Sequence, residues 1–154
     1  MTREHPPEAA RKLAVFIGQW KVEGTLRDGN AQAVISGVWR FEPAIDGWGV
    51  RGILKTDIEG MGAMNESELI GFDAVIGKVH MFSANRYAIR DHVGDWIDDQ
   101  QLRVRYQETI GDTEITEEIT LRFSEPGRIS AEVIERADGA VILTTHLTLT
   151  KQAA

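Results

Sequence analysis

From Gln19 to the end of the chain, apolar and polar residues alternate with a period of two, and Gly, Asp, Asn or Pro interrupt the alternation at intervals. Period-two alternation puts one set of side chains on each face of an extended strand, and the interruptions supply turn chemistry. About ten strands are predicted on this pattern. They lie near Gln19–Leu26, Ala33–Phe41, Trp48–Thr56, Asn65–Phe72, Lys78–Ala84, Tyr87–Val93, Gln101–Glu108, Glu114–Phe123, Arg128–Glu135 and Val141–Lys151. Ahead of them, Pro6 and Pro7 lead into Glu8 and the stretch EAARKLAVF, which Gly18 ends. A Pro-then-acid opening followed by good helix formers predicts a short helix, with Leu13, Phe16 and Ile17 on one side.

The segments between strands (RDGN, PAIDG, DAVIGK, IDDQ, IGD, SEPGR and RADG) are short. Short connections join antiparallel neighbours, because a parallel pair needs a crossover of a dozen residues or more. A meander of this length has two exposed edges unless it closes, and closure removes them. The predicted fold class is therefore all-β: an antiparallel up-and-down barrel of about eight to ten strands with a short N-terminal helix. One domain is expected over 1–154, residues 1–18 forming an arm and helix and 19–151 the barrel. Two strands show the wall pattern plainly. Thr113, Ile115, Glu117, Ile119, Leu121 and Phe123 share one face, apolar except for Glu117. Val141, Leu143, Thr145, Leu147 and Leu149 share a face opposite Ile142, Thr144, His146, Thr148 and Thr150.

Composition narrows the function classes. The chain has 154 residues, 42% of them hydrophobic and 27% charged, as expected of one folded domain. Its formal net charge of −7, without a basic cluster, argues against nucleic acid and anionic membrane surfaces as partners. The N-terminus MTREHPPEAARK lacks the apolar region of a signal peptide, so a cytoplasmic location is expected. With 0 cysteines there is no thiol nucleophile, disulfide or thiolate metal ligand. No serine-nucleophile, phosphate-loop or HExxH pattern occurs. Gly37, Gly49 and Gly52 fall within strands, where glycine marks corners of a curved sheet.

The remaining candidates are aromatic, acidic and imidazole side chains. Trp39, Trp48 and Tyr106, with Met81, sit on strands among apolar neighbours and either line a cavity or fill the barrel solid. Glu117, on the apolar side of its strand, must be paired or protonated if buried. It either meets a ligand or pairs with an inward arginine such as Arg51, Arg86 or Arg105, and Arg90 is a second candidate for orienting a ligand. Of the internal histidines, His80 has semi-apolar neighbours on both faces and His92 lies in AIRDHVGDW, near an expected turn. Either would serve as acid or base only if it lay inside the barrel, hydrogen-bonded to a carboxylate. No metal site is expected, because spacing alone does not converge ligands.

The helix followed by Gly18-x-Trp20 on the first strand resembles the calycin superfamily, whose lipocalin branch carries Gly-x-Trp there. The resemblance implies that Trp20 closes one end of a barrel. Gly24, GVWRFEPAIDGWGVRG and ELIGFDAVIGKVHMFSANRY add a resemblance, over about Leu13 to Lys151, to the bacterial domain of unknown function 1579, which implies no agreed activity. GKVHMFSAN and THLTLTK are similar to the nitrobindin group of haem-binding barrels, which implies His146 as axial ligand. Thr148 replaces that segment's second histidine, and the first-strand pattern survives only as GQWKVEG. If the leucines of the last strand point inward, however, His146 points out. These resemblances lead to a barrel that binds a small, partly apolar molecule on Trp39, Trp48, Met81 and Tyr106, with Arg90 or Glu117 orienting it. A haem protein using His146 and an enzyme using His80 or His92 are the alternatives. A homodimer through an apolar outer face is a further expectation.

Overall fold

A computed structural model describes residues 5–153. Ten antiparallel strands form one closed barrel in chain order, β10 pairing back onto β1. They are β1 (Gly18–Asp28), β2 (Ala31–Ala44), β3 (Gly49–Ile58), β4 (Gly62–Asp73), β5 (Lys78–Ala84), β6 (Ile89–Asp98), β7 (Gln101–Ile110), β8 (Thr113–Glu125), β9 (Arg128–Ala137) and β10 (Ala140–Lys151). The short helix α1 (Glu8–Arg11) tightens into a 3₁₀ turn over Lys12–Phe16. No helix among the described residues is long and apolar enough to cross a membrane.

All ten strands occur where the alternation places them. Most run a few residues further into the turns, since hairpin pairing continues up to the turn itself. The largest difference is at β6, which passes through Gly94 and Trp96 to Asp98, so His92 stands in mid-strand and not beside a turn. Gly94 reads as a breaker but is a close-approach position: a Cβ there would overlap the carbonyl oxygen of Arg103 on β7. A side chain would push the two strands apart, so glycine here preserves the strand.

One end of the barrel is packed solid. Leu13, Phe16 and Trp20 are buried there with Phe41 and Val22. The Phe16 ring lies 5.1 Å from Phe41 and 5.3 Å from Phe123. Trp20 Nε1 donates to the Phe16 carbonyl at 2.7 Å, and Trp96 Nε1 donates to the Ala9 carbonyl at 3.0 Å. Two indoles thus satisfy backbone oxygens of the N-terminal segment and seat it across the barrel end. Gly18 marks the entry to β1 with φ +134°, a conformation that residues with a Cβ rarely adopt.

Candidate functional site

The half of the barrel away from the helix is hollow. A cavity of about 340 Å³ runs from the buried core to the exposed ring of Tyr87 in the β5–β6 connection. Apolar wall is supplied by Leu26, Ile35, Leu54, Met81, Leu121 and Leu147, and the polar groups on it are mainly Glu66, Glu68, Arg90, Glu117 and Glu135. Antiparallel register explains why the acids converge. Glu117 stands opposite Glu135 across β8 and β9, and Glu68 stands opposite Ser83, which is opposite Arg90.

Arg90 sits between two of these acids. Its Nη1 donates to Glu117 Oε2 at 2.8 Å and its Nη2 to Glu135 Oε1 at 3.4 Å. The other oxygen of Glu117 meets His92 Nε2 at 2.7 Å, and His92 Nδ1 lies 3.3 Å from the Met81 carbonyl. Both ring nitrogens therefore face oxygen atoms. Burial alone would raise the Glu117 carboxyl. The hydrogen bond and charge of His92, with the Arg90 guanidinium, outweigh burial and hold the carboxyl below its usual range. Burial likewise opposes the charge on Arg90, but Glu117 and Glu135 overcome it and raise its pKa.

Glu68 is the reverse case. It is 6% exposed, and burial followed by the neighbouring Glu66 pushes its carboxyl well above the usual range. Glu66 is itself held by Asn85 Nδ2, which donates to Oε2 at 2.7 Å. Glu68 Oε2, Trp39 Nε1 and Arg90 Nε are buried polar atoms on the cavity residues that have no hydrogen-bond partner among the described residues. Buried polar groups are nearly always paired, so three orphans around one hollow are a property of the site.

The sequence-derived candidates divide sharply. Trp39, Met81, Arg90 and Glu117 line the cavity. Tyr106 stands just outside its lining. Its ring lies 5.7 Å from His92 and under the Arg90 guanidinium at 5.2 Å, and its hydroxyl donates to Glu108 at 2.5 Å. That bond, burial and the charge of Glu108 raise the tyrosine pKa. Trp48 is not part of the site. It follows the 3₁₀ turn Ile45–Gly47 before β3 begins, at the helix end, where its carbonyl accepts the Phe72 N–H at 3.3 Å. Gly18 and Trp20 belong to the packed end.

His146 points outward. Leu143, Thr145 and Leu147 face the cavity, and His146 is 60% exposed beside Glu132 at 3.6 Å, so it is out of reach of anything held inside. His80 also faces out, with Nδ1 3.0 Å from Asp91. The partner of Glu117 is Arg90, not the arginines its strand suggested. Arg51 pairs with Glu42 outside, Arg86 reaches Tyr87 and Arg105 is exposed. Glu66, Glu68 and Glu135 were not anticipated. Glu68 shares parity with Ile70 and Phe72, but Leu69 on the opposite face makes β4 read as two-sided.

No protein-family model matches this sequence, and no curated protein matches it as a relative. Solved structures do match in fold. The S-type phycobiliprotein lyase CPES from Guillardia theta superposes with a TM-score of 0.62 at 10% identity, covering 97% of this chain and 99% of the lyase. EF1p2_mFAP2b, solved bound to DFHBI, gives a TM-score of 0.53 at 13% identity, covering 94% of this chain and 100% of that one. The likeness is one of fold: a closed ten-stranded antiparallel barrel.

Proposed function

We propose that this protein binds a small, largely apolar molecule inside its barrel. The observation that carries the reading is the hollow itself: about 340 Å³, apolar on most of its wall, open at one rim and edged by buried polar atoms without partners. A small-molecule site has this make-up, an apolar concavity with a few placed polar groups. That a barrel of the same architecture is solved with DFHBI bound is in keeping with it.

The acid–base reading has one observation in its favour, since His92 lies inside the barrel and bonds a carboxylate. Its ring is 1% exposed and both nitrogens are engaged, so it has no atom to offer a substrate. Glu117, its carboxyl held below the usual range by its bonds to His92 and Arg90, is a weak base. The His92–Glu117–Arg90–Glu135 chain works better as a rigid polar wall than as a proton relay.

Calorimetric titration with tryptophol, a neutral indole alcohol, tests the proposal against a Thr145→Phe variant in which an aromatic ring occupies the cavity. Saturable one-to-one binding to the natural protein, at least tenfold weaker in the variant, is expected. Absence of saturable binding, or equal binding to both proteins, overturns the reading.

A further inference from the structure

The charges around the hollow do not balance. Its wall carries four carboxyl groups, Glu66, Glu68, Glu117 and Glu135, against the single guanidinium of Arg90. Arg90 is spent on Glu117 and Glu135, and His92 supports Glu117 from behind. Among the described residues, Glu66 and Glu68 have no cation. Asn85 gives Glu66 one neutral hydrogen bond, and Glu68, whose Oε2 has no partner among them, has only the neighbouring carboxyl of Glu66 beside it.

A carboxyl only 6% exposed with an orphaned oxygen is costly in any protein, and the neighbouring strands do not relieve it. On β3 the residue opposite is Gly52, and on β5 it is Ser83. The charges beyond are Arg90, Glu117 and Glu135 across the hollow, and Arg40 and Arg51, which line an outer hollow beside Gly52 that Glu68 also reaches; Arg51 is paired there with Glu42, and neither arginine forms an ion pair with Glu68. Trp39 gives a second, independent sign. It is 5% exposed, on the same wall, one rung away through Leu54 and Glu66, and its Nε1 donor has no acceptor.

Resting on the reading of the cavity as a ligand site, we infer that its ligand is an organic amine: an apolar body with a protonated nitrogen placed between Glu66 and Glu68. An acceptor atom on that body would meet Trp39. The ammonium supplies the cation the acids lack, its donors fit the open carboxylate oxygen, and the apolar body lies against Leu54, Met81 and Leu121. Binding displaces the proton of Glu68. Because an alkyl ammonium keeps its charge below about pH 10, affinity rises with pH as Glu68 ionises.

Three indoles that differ only in the end group separate the outcomes: tryptamine, tryptophol and indole-3-acetate, titrated calorimetrically at pH 5 and pH 8. Tryptamine is expected to bind at least tenfold tighter than tryptophol at pH 8 and to weaken markedly at pH 5, with tryptophol unchanged and indole-3-acetate weakest. Glu68→Gln should abolish the preference for tryptamine and leave tryptophol within about twofold, which also shows that the variant is folded. Equal or better binding of tryptophol or indole-3-acetate overturns the amine assignment and leaves the cavity reading standing, as does a preference that survives Glu68→Gln. If none of the three binds, both fall.

Discussion

Two buried glutamates of one cavity respond to pH with opposite signs. The Glu117 carboxyl is lowered on folding, so it contributes stability that is present above the ordinary glutamate value of about 4.3 and is lost as pH falls through its depressed folded value. Glu68 is raised, so the unfolded chain gives up its proton first, and stability falls as pH climbs from about 4.3 to the raised value. Replacing Glu68 by Gln removes that slope. The variant should be more stable than the natural protein at pH 8 and nearly equal at pH 4, as read by urea unfolding at both. Glu117→Ala leaves the Arg90 guanidinium and the His92 ring without the carboxylate they share inside the barrel, and removal of one member of a buried ionic cluster costs about 3–5 kcal/mol. A loss below about 1 kcal/mol in urea unfolding at pH 7 would mean that water already solvates the cluster. The odd acid of β8 was visible in the alternation. Its partners were not, because Arg90 and His92 reach it across β7, and spacing along one strand carries no information about a neighbour two strands away.

At the scale of elements, register decides which residues count. β10 keeps Leu143, Thr145 and Leu147 inside, and a slip of one residue would exchange them for His146 and Thr144. Eight consecutive leucine, threonine and histidine positions, Leu143 to Thr150, left that choice to the leucines, and burial energetics favours them. His146→Ala should therefore change stability by less than about 0.5 kcal/mol and leave tryptophol affinity as it was. It should also leave the visible spectrum of haem-supplied protein unaltered. A Soret band that depended on His146 would demand the other register. The N-terminal segment behaves differently, because its sequence shows both a helix and an apolar side. Phe16 is fully buried against Phe41 and Phe123, and its carbonyl takes the Trp20 indole. Phe16→Ala should cost about 3–5 kcal/mol in urea unfolding. Trp48 misled by type: an aromatic directly after a turn signal looks like the start of a strand, but the left-handed Asp46 and the 3₁₀ turn hold it before β3 starts.

For the whole molecule, closure makes the fold legible and the cavity not. Ten alternating segments with short turns admit few arrangements, and a closed wall follows from the absence of any other cover for two edges. Hollowness depends on how far side chains from opposite walls reach. In the helix half, Phe16, Trp20, Phe41 and Phe123 meet across the axis, whereas in the other half the wall is mostly Leu, Ile, Val, Thr, Met and carboxyl groups, with Trp39 on one side, and leaves the middle open. A void of this kind forgoes packing contacts, so the protein carries a stability deficit where it is proposed to bind. Thr145→Phe reads both sides of that exchange. Its ring removes empty volume without costing Thr145 a side-chain hydrogen bond to the described residues, so the midpoint of urea unfolding should hold or rise, while tryptophol binding falls at least tenfold. If instead stability drops by more than about 1 kcal/mol, the hollow is already filled by ordered water bonded to Glu68 and Trp39, and the ring is overpacking an occupied site. Stability and affinity moving in opposite directions is the result that belongs to a container kept open for its contents.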